Sequence, residues 1–421
     1  MSVDRNRTNN YMDKLFLEHS EEELNFRLSP KTAAGKQKIP RNPFIKEKTV
    51  LARWDTLQSD PSCKSELFDD KTREQMERYK RNIENFIGTV KLPVGLAGPL
   101  RVNGLHAQDD YYIPLATSEA ALVASYNRGA QLITQSGGAS AMVINCGVSR
   151  TPVFVFINLI EAGKFVDWSS AKFKKFRLVA ATTTRYGRLK DMRVTMEGNH
   201  VYLHFKYETG DASGQNMVTI ATEAIMQYIS EQSPVKPQHQ FIDGNMSGDK
   251  KASAISFLGV RGKKVTAEVN IPAELISSVL HTTPERMADF WRISTIGGVL
   301  SGITGIQGHY ANGLAALYIA TGQDAACVAE SAVGVTRFEL NKEGGLYASV
   351  TMPNLIVGTI GGGTGLPSQK ACLDIMKLAG ANNAMAFAEV CAVLCLAGEI
   401  SITGAFCAGH FSRAHKQLAR G

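Results

Sequence analysis

The longest apolar tract of the chain, AMAFAEVCAVLCLAGEISITGAF at residues 384–406, constrains the fold more than any other segment. A helix that is apolar on every side must be surrounded by other elements. The tract contains Glu389 and Glu399, and a carboxylate inside a lipid bilayer is costly, so we expect a buried core helix and not a membrane span. Because helices rich in Ala and Gly can approach one another closely, the largest domain is expected to surround this helix, with strands packed against it.

The composition is that of a globular protein with two or three domains. Of the 421 residues, 44% are hydrophobic and 20% are charged. The formal net charge is +7, and residues 171–193 contain eight basic residues and one acidic residue. Aromatic residues that could stack on bases are sparse in this segment, so it predicts a phosphate-bearing small ligand and no nucleic-acid partner. A solvated basic face remains an alternative.

The cysteines and the first residues bear on the compartment. The seven cysteines show no CxxC spacing, which predicts neither a zinc site nor a disulfide framework and suits a reducing compartment. The N-terminal residues lack the basic segment and apolar run of a signal peptide. We therefore expect a cytoplasmic protein with no membrane partner.

Changes in composition along the chain predict an α+β fold in three parts. Residues 1–90 are polar, with helix-like stretches such as REQMERYKRNIENFI, and are expected to form a helical N-terminal domain. Residues 152–241 alternate β-rich runs with helical ones, as in a compact α+β unit. Residues 91–151 and 242–421 are rich in small apolar residues and are expected to form one large domain, into which residues 152–241 are inserted.

Three charged residues stand in segments that are otherwise small and apolar. Glu119 follows Thr117 and Ser118, which predict a helix N-terminus with Glu119 in its first turn, where an acid can simply complement the helix dipole. Lys250 belongs to GNMSGDKKASA, and adjacent lysines are most often a solvated surface feature. Asp324, in YIATGQDAACV, is predicted to lie in a long buried helix, so its carboxylate needs a cationic partner such as Lys250.

Two histidines and two glycine-rich loops complete the set. His410 and His415 are five residues apart, so one helix face cannot present both, and no metal site is expected. In GTIGGGTGL and TGDASGQNM, missing side chains allow backbone amides to approach an anion, although GGGTG is not the GxGxxG of a Rossmann turn. A Glu, a Lys, an Asp and a His with two such loops indicate thioester or carbonyl chemistry, in which negative charge develops on an oxygen.

Seven motifs follow one another in a specific order: PVGLAGPL, PLATSEAALVASYNRG, DASGQNM, GNMSGDKKASA, YIATGQDAA, GTIGGGTG and GHFSRAH. Together they resemble the class I catalytic domain of the 3-hydroxy-3-methylglutaryl-CoA (HMG-CoA) reductase family, from about residue 84 to the C-terminus. The resemblance implies that NADPH delivers two successive hydrides to HMG-CoA, which yields mevalonate and CoA. It also implies that the insertion is a ferredoxin-like cofactor domain. The ENFIG segment at 84–88 would belong to a homodimer, or a dimer of dimers, with active sites at the subunit interface.

The resemblance also assigns roles to residues. Glu119 would be the general acid for the carbonyl oxygen, and Lys250 would stabilise the oxyanion. Asp324 would link both into one network, and His415 would protonate the departing CoA thiolate. The implied substrate-binding residues are Arg150, Asp249, Lys251, His309 and Asn312, and the CoA-binding residues are Ser125, Asn127 and Arg128. The implied NADPH-binding residues are Arg185, at the 2′-phosphate, and Asp211, Gln215, Asn216, Met217, Gly361, Gly362, Gly363 and Thr364.

The chain departs from the family pattern where the acyl end is recognised. A serine that contacts the substrate acid in the family corresponds to Asp243 here, and we expect Arg292 to offset this added negative charge. Gly248 and Gln215 stand where the family has Thr and Met. Two alternatives therefore remain: a reductase of a different short branched acyl-CoA, and a CoA-binding regulatory protein without turnover.

Overall fold

The computed structural model describes residues 5–31, 36–40, 45–259 and 261–409. The chain forms two compact units, Met1–Thr89 and Val90–Gly421. The predicted domain boundary at residue 90 stays a prediction.

The first unit is helical in its described residues, as the sequence predicts. Its helices are α1 (Arg5–Glu18), α2 (Glu21–Leu28), α3 (Glu47–Leu57), α4 (Pro61–Leu67) and α5 (Asp70–Gln75), followed by a 3-10 turn at Met76–Tyr79. The side chains of Ser20, Asp60 and Asp69 accept hydrogen bonds from first-turn N–H groups of α2, α4 and α5, which fixes where these helices begin. The unit has a small core made of Ile45, Val50, Trp54, Phe68 and Phe86.

The second unit combines strands and helices. Its described strands are β1 (Val94–Gly104), β2 (Gln108–Ala116), β3 (Ala139–Arg150), β4 (Val153–Val155), β5 (Arg188–Glu197), β6 (His200–Glu208), β7 (His239–Phe241), β8 (Gly262–Ile271), β9 (Val335–Leu340) and β10 (Leu346–Leu355). Its described α-helices are α6 (Leu122–Gln135), α7 (Leu159–Ala171), α8 (Phe173–Thr183), α9 (Gln215–Gln232), α10 (Ile255–Leu258), α11 (Ala273–Leu275), α12 (Pro284–Ser301), α13 (Tyr310–Thr321), α14 (Val328–Ser331), α15 (Pro367–Ile375) and α16 (Ala384–Cys407). Shorter turns are a π-helical turn at Ile276–Leu280 and 3-10 turns at Ala325–Cys327 and Gly362–Gly365.

One sheet extends through the described strands in the order β7-β4-β6-β3-β8-β10-β9, with β1 beside β2 and β3, and β5 beside β6. The β1–β3 pair is parallel and the other pairs are antiparallel. Most of β3 pairs with β8, but its last three residues, 148–150, pair with β6. Arg150 therefore lies where the two parts of the sheet meet.

Helix α16 is buried along almost its whole length, which confirms the predicted central helix. By length and composition it could cross a membrane, but 89% of its most apolar window is buried inside the protein. Its Glu389 accepts hydrogen bonds from the backbone N–H groups of His106 (2.9 Å) and Ala107 (2.8 Å), which satisfies a buried carboxylate. Helix α6 packs directly against it, because a Cβ at Gly129 would lie 1.9 Å from the Ala397 carbonyl oxygen.

A second hydrophobic core is made of residues between Val148 and Ile242. Strand β6 alternates buried and half-buried residues, and its buried face packs against apolar side chains of α7, α8 and α9. The elements follow the order β4-α7-α8-β5-β6-α9-β7, and their strands form an antiparallel sheet in the order β7-β4-β6-β5. The insertion boundaries at 152 and 241 stay a prediction.

Candidate active site

Lys250 lies in the loop between β7 and α10 and contacts Asp324, as the sequence predicts. Its Nζ is 2.9 Å from the Asp324 Oδ2, and both side chains are partly exposed, at 44% and 43%. The hydrogen bond to Asp324 raises the pKa of Lys250. Burial alone would raise the pKa of Asp324, but the hydrogen bonds from Lys250 and from the Ala326 N–H outweigh it, and this pKa is lowered. Both groups are therefore held in their charged forms.

The prediction that Asp324 lies within a long buried helix is wrong. Helix α13 ends at Thr321, because Gly322 adopts a left-handed conformation with φ 72°. Asp324 is the N-cap of the following 3-10 turn, where its Oδ1 accepts a hydrogen bond from the Ala326 N–H (3.0 Å). The turn leaves the carboxylate half-exposed, and Lys250 supplies the cation.

The prediction that Glu119 lies in the first turn of a helix is also wrong. Helix α6 begins at Leu122, after Ala121 with φ 70°. The Thr117 Oγ1 accepts a hydrogen bond from the Glu119 N–H (2.9 Å), so it caps a separate turn before the helix. Glu119 is exposed and lines a cavity of about 350 Å³ that is also lined by Asn312. The structure thus brings these two predicted site residues together.

Within one chain, no direct contact among the described residues joins Glu119 to Lys250. Among the described residues, neither a hydrogen bond nor an ion pair joins their side chains, and Lys250 is not among the residues that line the Glu119 cavity. Asn312 faces this cavity from the first turn of α13, whose N-cap is His309. The His309 Nε2 is 2.9 Å from the Gly398 carbonyl oxygen, so this ring nitrogen contacts the backbone of α16.

A network of buried charges, which the sequence did not reveal, supports the lysine loop. Arg261 lies 2.8 Å from the Asp249 Oδ1 and 2.5 Å from the Glu330 Oε2, and the side chains of Arg261 and Glu330 are 3% and 0% exposed. The Glu330 Oε1 also accepts a hydrogen bond from the Lys250 N–H (3.1 Å). Burial raises the pKa of Glu330 more than the Arg261 guanidinium lowers it. Glu330 stands in the apolar run AACVAESAVGV, so the argument applied to Asp324 could have found it.

Arg150 forms the other end of this network. Its Nη1 donates hydrogen bonds to the Asp243 Oδ2 (2.7 Å) and the Asp249 Oδ2 (3.0 Å). The expectation that Arg292 offsets Asp243 is therefore wrong within this chain, because Arg150 supplies that cation. Arg292 instead contacts Asp289, three residues earlier on the exposed face of α12. The Lys251 Nζ donates to the Asp249 carbonyl oxygen (3.0 Å).

The predicted CoA-binding residues lie on α6 and contact neighbouring elements. The Arg128 Nη2 donates to the Ser401 carbonyl oxygen (3.1 Å) and Oγ (2.9 Å), and burial lowers the pKa of Arg128. The Ser125 Oγ is 2.9 Å from the same Ser401 Oγ, and the Asn127 Oδ1 accepts a hydrogen bond from the Gly98 N–H (3.0 Å). In this structure these side chains hold α6 in place, and their role toward CoA stays a prediction.

The two glycine-rich loops lie side by side. The Asp211 carbonyl oxygen accepts a hydrogen bond from the Thr359 N–H (2.9 Å), and the Asp211 carboxylate accepts from the N–H groups of Asn382 (2.9 Å) and Ala384 (3.2 Å). The carboxylate therefore caps the start of α16. The GTIGGGTGL loop, residues 358–366, also approaches the turn at Asp324, since a Cβ at Gly322 would lie 2.2 Å from the Gly363 carbonyl oxygen.

The residues around these loops fit an anionic nucleotide. Gly361 and Gly362 have φ values of 76° and 55°, and a Cβ at either would meet no atom within 4 Å, so the backbone of this turn is uncovered. Thr364 closes the turn through a hydrogen bond to the Gly361 carbonyl oxygen (2.7 Å). Arg185 is exposed between α8 and β5 and forms no ion pair with any described residue. Nearby, a Cβ at Gly187 would lie 2.6 Å from the Met217 sulfur, which places the Arg185 turn beside the first turn of α9.

Comparison with known families decides the assignment. A sequence model described as hydroxymethylglutaryl-coenzyme A reductase matches residues 49–420, which is most of the chain. The chain belongs to this family. The family predicted from the seven motifs is therefore confirmed. Its assignment to class I stays a prediction.

Curated archaeal relatives support the same assignment. The HMG-CoA reductase of Methanothermobacter thermautotrophicus is 44% identical over 350 residues, which cover 82% of this chain and 87% of the relative. That of Aeropyrum pernix is 46% identical over 352 residues, covering 82% and 83%. Among solved structures, the class II HMG-CoA reductase of Streptococcus pneumoniae bound to NADPH has a TM-score of 0.63 and 19% identity, covering 82% of this chain and 84% of that one. This likeness supports the mixed α+β fold of the HMG-CoA reductase family.

Two predicted site residues, His415 and Asn216, stay predictions. His415, the expected proton donor to CoA, lies outside the described residues, as does His410. Asn216 is exposed at the start of α9, so its role toward a cofactor stays a prediction. Within the described ranges, no group of three His, Cys, Asp or Glu side chains is suited to a metal ion.

Proposed function

We propose that this HMG-CoA reductase family member reduces HMG-CoA to mevalonate and CoA, with two NADPH molecules as hydride donors. The observation that carries the proposal is the Lys250 ammonium held 2.9 Å from the Asp324 carboxylate at an accessible loop. A fixed cation stabilises a carbonyl oxygen more as that oxygen becomes negative, which lowers the barrier to hydride addition. The pKa of Lys250 is raised by Asp324, so the ammonium form persists at neutral pH.

The two proton-transfer roles follow from the same chemistry. Each reduced carbonyl carbon leaves an alkoxide that requires a proton, and Glu119 is the acid beside the predicted site. Cleavage of the intermediate hemithioacetal releases a thiolate, which His415 protonates. Asp324 stays ionised and orients Lys250 through both steps.

The complete site lies between two subunits of a homodimer. Glu119 and Asn312 share one cavity, whereas Lys250 does not line this cavity and contacts Asp324 instead. A partner subunit that brings its Lys250 loop to the Glu119 cavity completes the set. An apolar helix face, formed by Ile293, Ile296 and Val299 of α12, is exposed in the single chain and suits such an interface.

The inserted unit at 152–241 is the NADPH-binding domain of a class I enzyme. A ferredoxin-like unit is supported by its antiparallel sheet order β7-β4-β6-β5 and by its β-α-α-β-β-α-β order, in which α7 and α8 take the place of one helix. Arg185 would contact the 2′-phosphate, and the backbone of Gly361 and Gly362 would approach the pyrophosphate. Asn216 and Met217 of α9 would lie against the nucleotide. The large domain at 91–151 and 242–421 would bind the thioester, and the protein would act in the cytoplasm.

A second candidate is a reductase of a different short branched acyl-CoA, one that lacks the terminal carboxylate of HMG-CoA. It is favoured by Arg150, whose guanidinium already contacts the carboxylates of Asp243 and Asp249. The deciding experiment follows NADPH oxidation by the purified full-length protein with HMG-CoA and with the branched thioester 3-methylbutyryl-CoA. An HMG-CoA reductase turns over HMG-CoA, and turnover confined to 3-methylbutyryl-CoA would favour the second candidate. Binding of CoA without oxidation of NADPH by any thioester would indicate a regulatory protein.

A further inference from the structure

Arg261 contacts side chains from three separate segments, through an ion pair with Asp249 and hydrogen bonds to Glu330 and Gln215. Its guanidinium lies 2.8 Å from Asp249 in the lysine loop, and it donates to the Glu330 Oε1 at 2.6 Å and to the Gln215 Oε1 at 2.7 Å. The Nε of Arg261 is buried without an acceptor among the described residues. These three contacts therefore determine the orientation of the guanidinium.

Two of these contacts fix the reactive lysine. Asp249 precedes Lys250 in the chain, and Glu330 accepts the Lys250 N–H at 3.1 Å. Lys250 has a φ of 57°, a left-handed conformation that a residue with a side chain adopts only when its surroundings impose it. The Arg261–Glu330 pair supplies that constraint, because Glu330 is fully buried and is itself held by both of its oxygens.

The third contact leads to the cofactor loop. Gln215 is the first residue of α9, directly after the DASG turn. Its Oε1 accepts from Arg261, while its Nε2 approaches the Cys327 sulfur at 3.8 Å, three residues beyond Asp324. The amide therefore connects the loop proposed to bind NADPH with both partners of the Lys250–Asp324 pair.

We propose that Arg261 and Glu330 are positioning residues for Lys250, and that Gln215 couples binding of the cofactor to binding of the thioester. This inference rests on the proposed function, since it concerns the same site. A nucleotide that orders the 211–217 loop fixes Gln215, and Gln215 fixes Arg261 and thus the lysine loop. A thioester that binds to Lys250 fixes the lysine loop, which fixes Arg261 and then Gln215. Each ligand therefore raises the affinity of the protein for the other by the same factor.

The test measures this factor without turnover. The dissociation constant of NADP⁺ is measured by calorimetry with the full-length protein, alone and with saturating HMG-CoA, which cannot react with the oxidised cofactor. We expect HMG-CoA to tighten NADP⁺ binding at least about fivefold in the wild type. Gln215→Met removes the acceptor and reduces this factor to below about twofold, whereas Gln215→Glu keeps an acceptor and retains it. Gln227→Met, on the exposed face of the same helix, is the matched control and leaves the factor unchanged.

Kinetics test the positioning role independently. Arg261→Lys and Glu330→Gln are expected to lower kcat by about 100-fold, since small displacements of a reacting group have effects of this size. Both variants are expected to retain the NADP⁺ affinity of the wild type in the absence of thioester. A general loss of structure would weaken this affinity, so the measurement separates the two explanations. A wild type without coupling, a Gln215→Met variant that keeps it, or Glu330→Gln with the kcat of the wild type would overturn the inference. Failure of the wild type to oxidise NADPH with any thioester would instead contradict the proposed function, and the calorimetric factor can still be measured.

Discussion

Replacing Asp324 with Asn tests the Lys250–Asp324 pair, because the amide keeps the shape of the side chain and the cap to Ala326 but removes the charge. Two unit charges 2.9 Å apart interact by about 1.4 kcal/mol in water and by about 6 kcal/mol at an effective dielectric constant of 20. Both side chains are more than two-fifths exposed, so the lower value applies and solvent screening reduces it further. We expect the free energy of unfolding to fall by about 0.5–1 kcal/mol. Turnover should fall far more, by about 10-fold to 100-fold, because a misplaced ammonium no longer meets the developing oxyanion.

The stability effect has a defined pH range. The pKa of Lys250 is raised by folding, so its contribution is present below the usual value of 10.5 and is lost as the pH rises through the higher folded value. The pKa of Asp324 is lowered, so its contribution is present above the usual value of 3.8 and is lost as the pH falls through the lower folded value. The difference in unfolding free energy between wild type and Asp324→Asn is therefore constant near neutral pH and decreases at both extremes.

The assay combines urea unfolding with steady-state oxidation of NADPH in the presence of HMG-CoA. The matched control is Asp374→Asn, which removes the acid of an equally exposed pair with Lys370 on α15, at 2.6 Å. This control should lose a similar fraction of a kcal/mol and keep the wild-type kcat. The argument would be refuted by an Asp324→Asn variant with wild-type turnover, or by an equal loss of turnover in the control.

Three further predictions concern the acyl pocket, the cofactor and the core. Asp243→Ser removes one of two carboxylates from Arg150, so the KM for HMG-CoA should fall by about threefold to tenfold at constant kcat; a raised KM would show that Asp243 assists binding. Arg185→Ala should raise the KM for NADPH by at least about tenfold and leave that for NADH unchanged, and equal changes would exclude a contact with the 2′-phosphate. Gly129→Ala places a Cβ 1.9 Å from the Ala397 carbonyl oxygen and should lower the free energy of unfolding by about 3 kcal/mol in urea titrations. Gly163→Ala on α7, where a Cβ meets no atom within 4 Å, should instead stabilise the protein by up to about 1 kcal/mol, and equal effects would contradict the close packing of α6 on α16.

The features that the sequence predicted correctly depend on local composition. The tract at 384–406 has no polar face, so burial within a large core follows directly from its residues. The pairing of Asp324 with Lys250 was predicted correctly, although Asp324 is half-exposed and the predicted burial of its charge was wrong. The seven motifs, taken in order, led to the correct family.

The errors arose where single residues override a pattern. Gly322 ends α13 two residues before Asp324, and Thr117 caps a turn that precedes α6, so neither acid lies in the helix predicted for it. The buried network could not be derived from sequence, because Asp249 and Glu330 meet at Arg261 from positions about 80 residues apart. The periodic spacing of apolar residues along a sequence does not indicate contacts between such distant positions. The same reason explains the incorrect pairing of Asp243 with Arg292, since the end of β3 presents Arg150 to Asp243.

The most direct measurement compares the kcat of the wild type, Lys250→Ala and Lys377→Ala for NADPH oxidation with HMG-CoA. Lys377 pairs with Asp109 on the surface at the same 2.9 Å and serves as the matched control. If the Lys250 ammonium stabilises the oxyanion, its removal lowers kcat by about 100-fold to 1000-fold, while Lys377→Ala keeps the rate of the wild type. A Lys250→Ala variant that reduces HMG-CoA at the rate of the wild type would contradict the account.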